Sequence, residues 1–74
     1  MKMSILDLRT ILSAGSNVVV DAADMSILDM RSIAMDAKLS GTHVTIRNAS
    51  LLDPLDCRIV AIAGGKGTVT FDFM

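Results

Sequence analysis

An internal repeat constrains this chain more than any other feature. The segment MSILDLRTI at residues 3–11 returns as MSILDMRSI at residues 25–33, changed only where Leu8 becomes Met30 and Thr10 becomes Ser32. A weaker third copy, LDPLDCRIV at residues 52–60, aligns when Asp53 takes the place of Ser4 and Ser26. Repetition at this scale marks stacked supersecondary units, none of which can bury its apolar face alone. The cap-to-cap spacings are 22 and 27 residues. The expectation is one domain over residues 1–74, built from units at about 3–21, 25–47 and 52–73.

The aligned positions have physical roles. Ser4, Ser26 and Asp53 are good N-cap residues. Three places on stand Asp7, Asp29 and Asp56, a variant of the capping box that also sets a carboxylate against the positive end of a helix dipole. Met3, Met25 or Leu52 precedes each cap, and Leu8, Met30 or Cys57 follows four residues after it, the spacing of a hydrophobic staple. Pro54 falls at a first helical position, where its missing N–H costs nothing. Gly15, Gly41 and the pair Gly64–Gly65 supply stops.

After each stop comes a short alternating run at residues 17–21, 43–47 and 68–72. Val18, Val20, Val44, Ile46, Val69 and Phe71 point to one face, whereas Asn17, Asp21, His43, Thr45, Arg47, Thr68, Thr70 and Asp72 point to the other. Strands separated by helices pair in parallel through right-handed crossovers. The predicted fold is therefore α/β: three helix–strand repeats, with a three-stranded parallel sheet covered by helices on one face, solenoid-like. Sequential strand order would set Arg47 between Asp21 and Asp72, an opposite-charge ladder.

Composition narrows the function classes. Seven basic and eight acidic residues leave a net charge of −1, far from the basic stripe that neutralises phosphates, so nucleic acid is not an expected partner. Cys57 is the single cysteine and His43 the single histidine. An internal disulfide is excluded, few soft ligands remain for a metal, and a reducing cytoplasm is the expected compartment. The N-terminus reaches Asp7 before any signal-like apolar run. No stretch approaches the roughly 18 apolar residues of a bilayer span, so a soluble, unprocessed protein without a membrane partner is expected.

A helix and a strand per short unit resembles small bacterial-type α/β repeat proteins of the leucine-rich-repeat-like solenoid kind. The leucine-rich consensus itself is absent, because the repeated Leu-Asp-x-Arg lies in a helix and not around the strand. Residues 18–33, VVVDAADMSILDMRSI, are similar to the strand–loop–helix segment of STAS domains. That resemblance implies a regulatory binding protein working through Asp24 to Arg31, with Ser26 or Ser32 as a modifiable hydroxyl. Met30 stands where that family commonly has its phosphorylatable Ser or Thr.

Candidate chemistry is thin. Gly64-Gly-Lys-Gly67 invites a phosphate-loop reading, but such loops run from strand to helix, and here the order is helix to strand. Asp7, Asp29 and Asp56 have a complete role in capping, His43 reads as a solvated strand residue, and Cys57 as a staple-position hydrophobe. No nucleophile, base and oxyanion donor assemble, so a non-enzymatic protein without a cofactor is expected. Arg9, Arg31 and Arg58 recur in register, a row able to meet an acidic partner or simply to solvate the helix flank.

Apolar residues also lie off the core stripe. At about 100° per residue, Ile27, Met30, Ile33, Ala34 and Ala37 form one face of the second helix. Leu28, Met35 and Leu39 fall nearly opposite, Leu55, Ile59 and Ile62 repeat that second stripe on the third helix, and Leu6 begins it on the first. Helices apolar on two sides are usually buried on two sides, either against neighbouring helices or in a subunit interface. The first strand and the last run, residues 67–73 with Phe71 and Phe73, each leave an unpaired edge, and no polar cap closes the repeat at either terminus. The expected function is a protein-interaction or scaffold module that self-associates as a homo-oligomer or filament. The candidate contact residues are Leu28, Arg31, Met35, Leu39, Leu55, Ile59, Ile62, Phe71 and Phe73.

Overall fold

Ser4 and Ser26 perform the capping that their positions predict. In the computed structural model, which describes residues 4–74, both have extended backbone. Their hydroxyl oxygens accept from Asp7 N at 3.1 Å and Asp29 N at 3.2 Å. These caps start helix α1 (Ile5–Ser13) and helix α2 (Ile27–Ser40). Asp53 has the same extended conformation ahead of helix α3 (Pro54–Gly64), yet its carboxylate makes no capping bond. The fixed φ of Pro54 pre-forms that first turn instead. Of the staple residues, Met3 lies outside the described residues; Leu8, Met25 and Leu52 pack half-buried on the core, Met30 is buried, and Cys57 is half-buried.

The strands β1 (Val18–Asp21), β2 (Val44–Arg47) and β3 (Val69–Phe71) lie within one residue of the alternating runs. They form a parallel three-stranded sheet in the order β1-β2-β3. Register places Val18, Val44 and Val69 on one rung and Val20, Ile46 and Phe71 on another. These side chains meet Leu12 from α1, Met30 and Ile33 from α2 and Val60 from α3 in one aliphatic core. The helices lie side by side, α1 against α2 and α2 against α3. Alternation leaves Val19, Thr45 and Thr70 on the opposite sheet face, where Val19 is 63% exposed.

Three local features differ from the sequence reading. Short 3-10 turns at Ala22–Asp24 and Ala49–Leu51 lead out of β1 and β2. The first is set by Asp21 Oδ1 accepting from Ala23 N at 2.9 Å, and the second follows Asn48, held at φ 57°, a conformation that asparagine tolerates better than most residues. Gly64 is also more than a stop. It is the buried last residue of α3, and a Cβ there would stand 2.7 Å from Val69 Cγ2. The turn itself is made by Gly65 at φ 76°.

The charged rung is present as a register. Asp21 pairs with Arg47, and Asp72 N donates to Ile46 O at 2.8 Å, which brings Asp72 alongside Arg47 from the other strand. The principal partners of the Asp21 carboxylate are Asn48 Nδ2, at 2.9 Å, and Ala23 N. They hold its pKa below the ordinary value, and the Arg47 charge adds a lesser pull.

Candidate functional site

The helix layer has two apolar sides, and only one is covered. Facing the sheet, Met30, Ile33, Ala34 and Ala37 of α2 and Val60 of α3 are at most 1% exposed. Half a turn away, Leu28, Leu39, Leu55 and Ile62 are 66–83% exposed. Met35 and Ile59 are exposed to a lesser degree, at 50% and 43%, and both line the α2–α3 seam. Helix packing thus accounts for part of the second stripe at Met35 and Ile59 and leaves the other four open. On α1, Leu6 continues the stripe at 68% exposure.

The seam opens into a groove of about 280 Å3 lined by Arg31, Met35, Ile59, Ile62 and Ala63. Its origin lies in the repeat. On the neighbouring seam Arg9, the counterpart of Arg31, reaches from α1 to α2. There its Nε donates to Asp36 Oδ2, with a longer contact from Nη2 to Oδ1 at 3.5 Å. That hydrogen bond and the Asp36 charge raise the guanidinium pKa further. Carrying the alignment forward by the 27 residues that separate Ser26 from Asp53 takes Asp36 to Ala63. Arg31 meets a methyl group where Arg9 meets a carboxylate, and among the described residues no ion pair holds it. The arginine row is accordingly divided: Arg9 is engaged within the chain, Arg31 lines the groove, and Arg58 is exposed on α3.

The other predicted residues do not join this face. Phe71 is half-buried on the core, and Phe73 extends beyond it at 59% exposure, the two rings stacked with centroids 6.3 Å apart. They belong to the β3 end of the sheet. Leu51 and Met74, missed in the sequence reading, are exposed as well; Leu51 lies in a 3-10 turn that no apolar period announces. His43 is half-buried, not simply solvated: Nδ1 lies 3.0 Å from Gly67 O and Nε2 2.6 Å from Thr70 Oγ1. A carbonyl only accepts, so Nδ1 carries a proton, and the ring fastens β2 to β3.

Reactive chemistry gains no support from the remaining groups. Burial pushes the Cys57 thiol pKa up, and the Asp56 and Asp53 charges push it further, which disfavours the nucleophilic thiolate. The Ser26 hydroxyl is engaged as a helix cap, and Ser32 is half-buried. Gly64–Gly67 runs from the end of α3 toward β3, so no helix start faces it. Among the described residues, no three His, Cys, Asp or Glu side chains cluster in a metal-binding group, and no helix is long and apolar enough to cross a membrane. Comparison with known proteins found no matching family model, no similar curated protein and no similar solved structure.

Proposed function

We propose that this chain is a non-enzymatic interaction module, a solenoid-like stack of three helix–strand units that self-associates through the outer face of its helix layer. One observation carries the reading: Leu28, Leu39, Leu55 and Ile62, with Met35 and Ile59 between them, leave a second apolar side uncovered. Single exposed leucines are ordinary, but a contiguous group across two helices marks an association surface. Covering one such side chain contributes about 1.5–3 kcal/mol. A two-layer molecule with extents of 30 × 30 × 20 Å also has room on a broad face for the ~800 Å2 per partner of a standard interface.

The open strand edges fit a second copy less well. Adding β1 of another copy beside β3 in the register used inside the sheet would set Asp21 of that copy against Asp72. Like charges directly opposite are destabilising. The helix face instead offers Leu28, Leu39, Leu55 and Ile62, each at least 66% exposed.

Light scattering across the micromolar range tests the reading. The expected mass exceeds that of the 7.9 kDa chain, and Met35→Glu or Ile62→Glu returns it to the monomer with the far-ultraviolet circular dichroism unchanged. A wild-type mass fixed at the monomer value throughout would sink the proposal.

A further inference from the structure

The groove at Arg31 has the chemistry of an incomplete ion pair. Its counterpart seam holds Arg9 against Asp36, whereas here the aligned position is Ala63 and the walls are Met35, Ile59 and Ile62. The opening suits a carboxylate carried beside an apolar side chain, the first for the guanidinium and the second for the walls. This chain bears such a pair on its own outer surface. In α1 the core side is Ile5, Leu8 and Leu12. At about 100° per residue, Leu6 and Asp7 therefore fall on the outward half, and both are exposed. Asp7 contributes its backbone N–H to the Ser4 cap, a bond that makes no use of its carboxylate.

Resting on the self-association proposed above, we infer that the occupant of this groove is α1 of a second copy, with Leu6 against the apolar walls and Asp7 paired to Arg31. The placement is geometrically closed. Asp7 and Arg31 both lie in the first two turns of their helices, so a two-fold axis running parallel to α2 keeps them at one level. The same rotation carries α1 of the partner over to the α2–α3 side. Each copy then makes the contact once in each direction, as an isologous dimer requires. A carboxylate supplied across the interface takes the position that Asp36 fills within the chain.

Three variants and one mixture test this. Arg31→Glu and Asp7→Lys should each raise the dimer dissociation constant about tenfold or more, as for removal of a close interfacial charge pair. Mixing the two variants should restore dimerisation as a heterodimer, because both crossed pairs become attractive. Ala63→Asp provides Arg31 with an internal carboxylate and should weaken the dimer with the far-ultraviolet circular dichroism unchanged. Failure of the mixture to associate, or an Ala63→Asp chain that dimerises like wild type, would overturn the assignment. If Ile62→Glu still dissociates the dimer in that event, helix-face association survives and only its ionic contact is wrong; a monomeric wild type removes both.

Discussion

The two boundaries between successive helix–strand pairs are built from aligned sequence, yet their helix seams are closed in opposite ways. At the first, polar groups stitch both layers: Arg9 to Asp36 between the helices, Asn48 Nδ2 to Asp21 and His43 N to Asn17 Oδ1 at the sheet. At the second, the His43 ring bonds Gly67 O and Thr70 Oγ1 at the sheet, but the helix seam is lined by Met35, Ile59, Ile62 and Ala63 and stays open outward, and α3 settles onto β3 through the close approach at Gly64. One aligned position, Asp36 in α2 and Ala63 in α3, determines whether an arginine is satisfied inside the chain or presented outside it. Aligned sequence therefore does not guarantee aligned contacts, since one changed position alters the chemistry of a whole seam.

The largest effect is expected where the second boundary is tightest. A methyl at Gly64 would stand 2.7 Å from Val69 Cγ2, 3.3 Å from Thr68 Cβ and 3.4 Å from Ala34 Cβ. Val69 is stiff at χ1 and cannot simply swing away. Overpacking of this kind costs about 1–3 kcal/mol, against a helix-propensity gain of up to ~1 kcal/mol for Gly→Ala. Gly64→Ala should thus be destabilised by about 1–2 kcal/mol in urea unfolding. Combining it with Val69→Ala should cost less than the two single changes added together. A stabilised Gly64→Ala would show that the boundary is looser than the distances imply.

Next in size is His43, whose two parts serve different boundaries. Its backbone N–H donates to Asn17 Oδ1 at 2.8 Å toward β1, while its ring bonds Gly67 O and Thr70 Oγ1 toward β3. His43→Ala removes only the second set, two bonds open to water that together contribute about 0.5–1.5 kcal/mol. Hydrogen exchange should speed up at the amides of Thr70 and Asp72 and stay unchanged in β1. Asn17→Ala should give the reverse pattern. Equal loosening of both strands in either variant would mean that the boundaries are not separable.

Much of the fold was legible because its determinants are local. Caps at Ser4 and Ser26, Pro54 at a helix start and period-two runs are read within a few residues, and parallel order follows from the intervening helices. The second stripe was legible for the same reason, since Leu28, Met35 and Leu39 need only the helical period to be found. What escaped depends on contacts across the chain. That Arg9 reaches Asp36, and hence that Ala63 leaves Arg31 outside any ion pair among the described residues, requires knowing which helix flanks face each other. Gly64 reads as a helix stop, and its contact with Val69 exists only once α3 lies on β3. The clasp of His43 on Gly67 needs the strand register to be known. The 3-10 turn at Ala22–Asp24 did leave a signal, an aspartate two residues before the amide that it accepts from, but the strand pattern running into it hid the turn.

The smallest expected effect is at the first boundary, on Asp21. Its pKa lies below the ordinary 3.8, first through the hydrogen bond from Asn48, then through that from Ala23 N, with Arg47 adding charge. A depressed carboxylate stabilises the fold above its unfolded pKa, and that contribution is lost as pH falls through the folded value. Asn48→Gly keeps the left-handed backbone at φ 57° and removes the leading cause. The variant should be slightly less stable than wild type near neutral pH, with the gap closing as pH drops below 3.8, and the Asp21 titration followed by NMR should move up toward the ordinary value. Because the carboxylate is only partly buried and one hydrogen bond is removed instead of two, the gap should be smaller than at His43. A stability difference that persists unchanged at pH 2 would assign it to the backbone of Asn48 and remove the charge from this boundary.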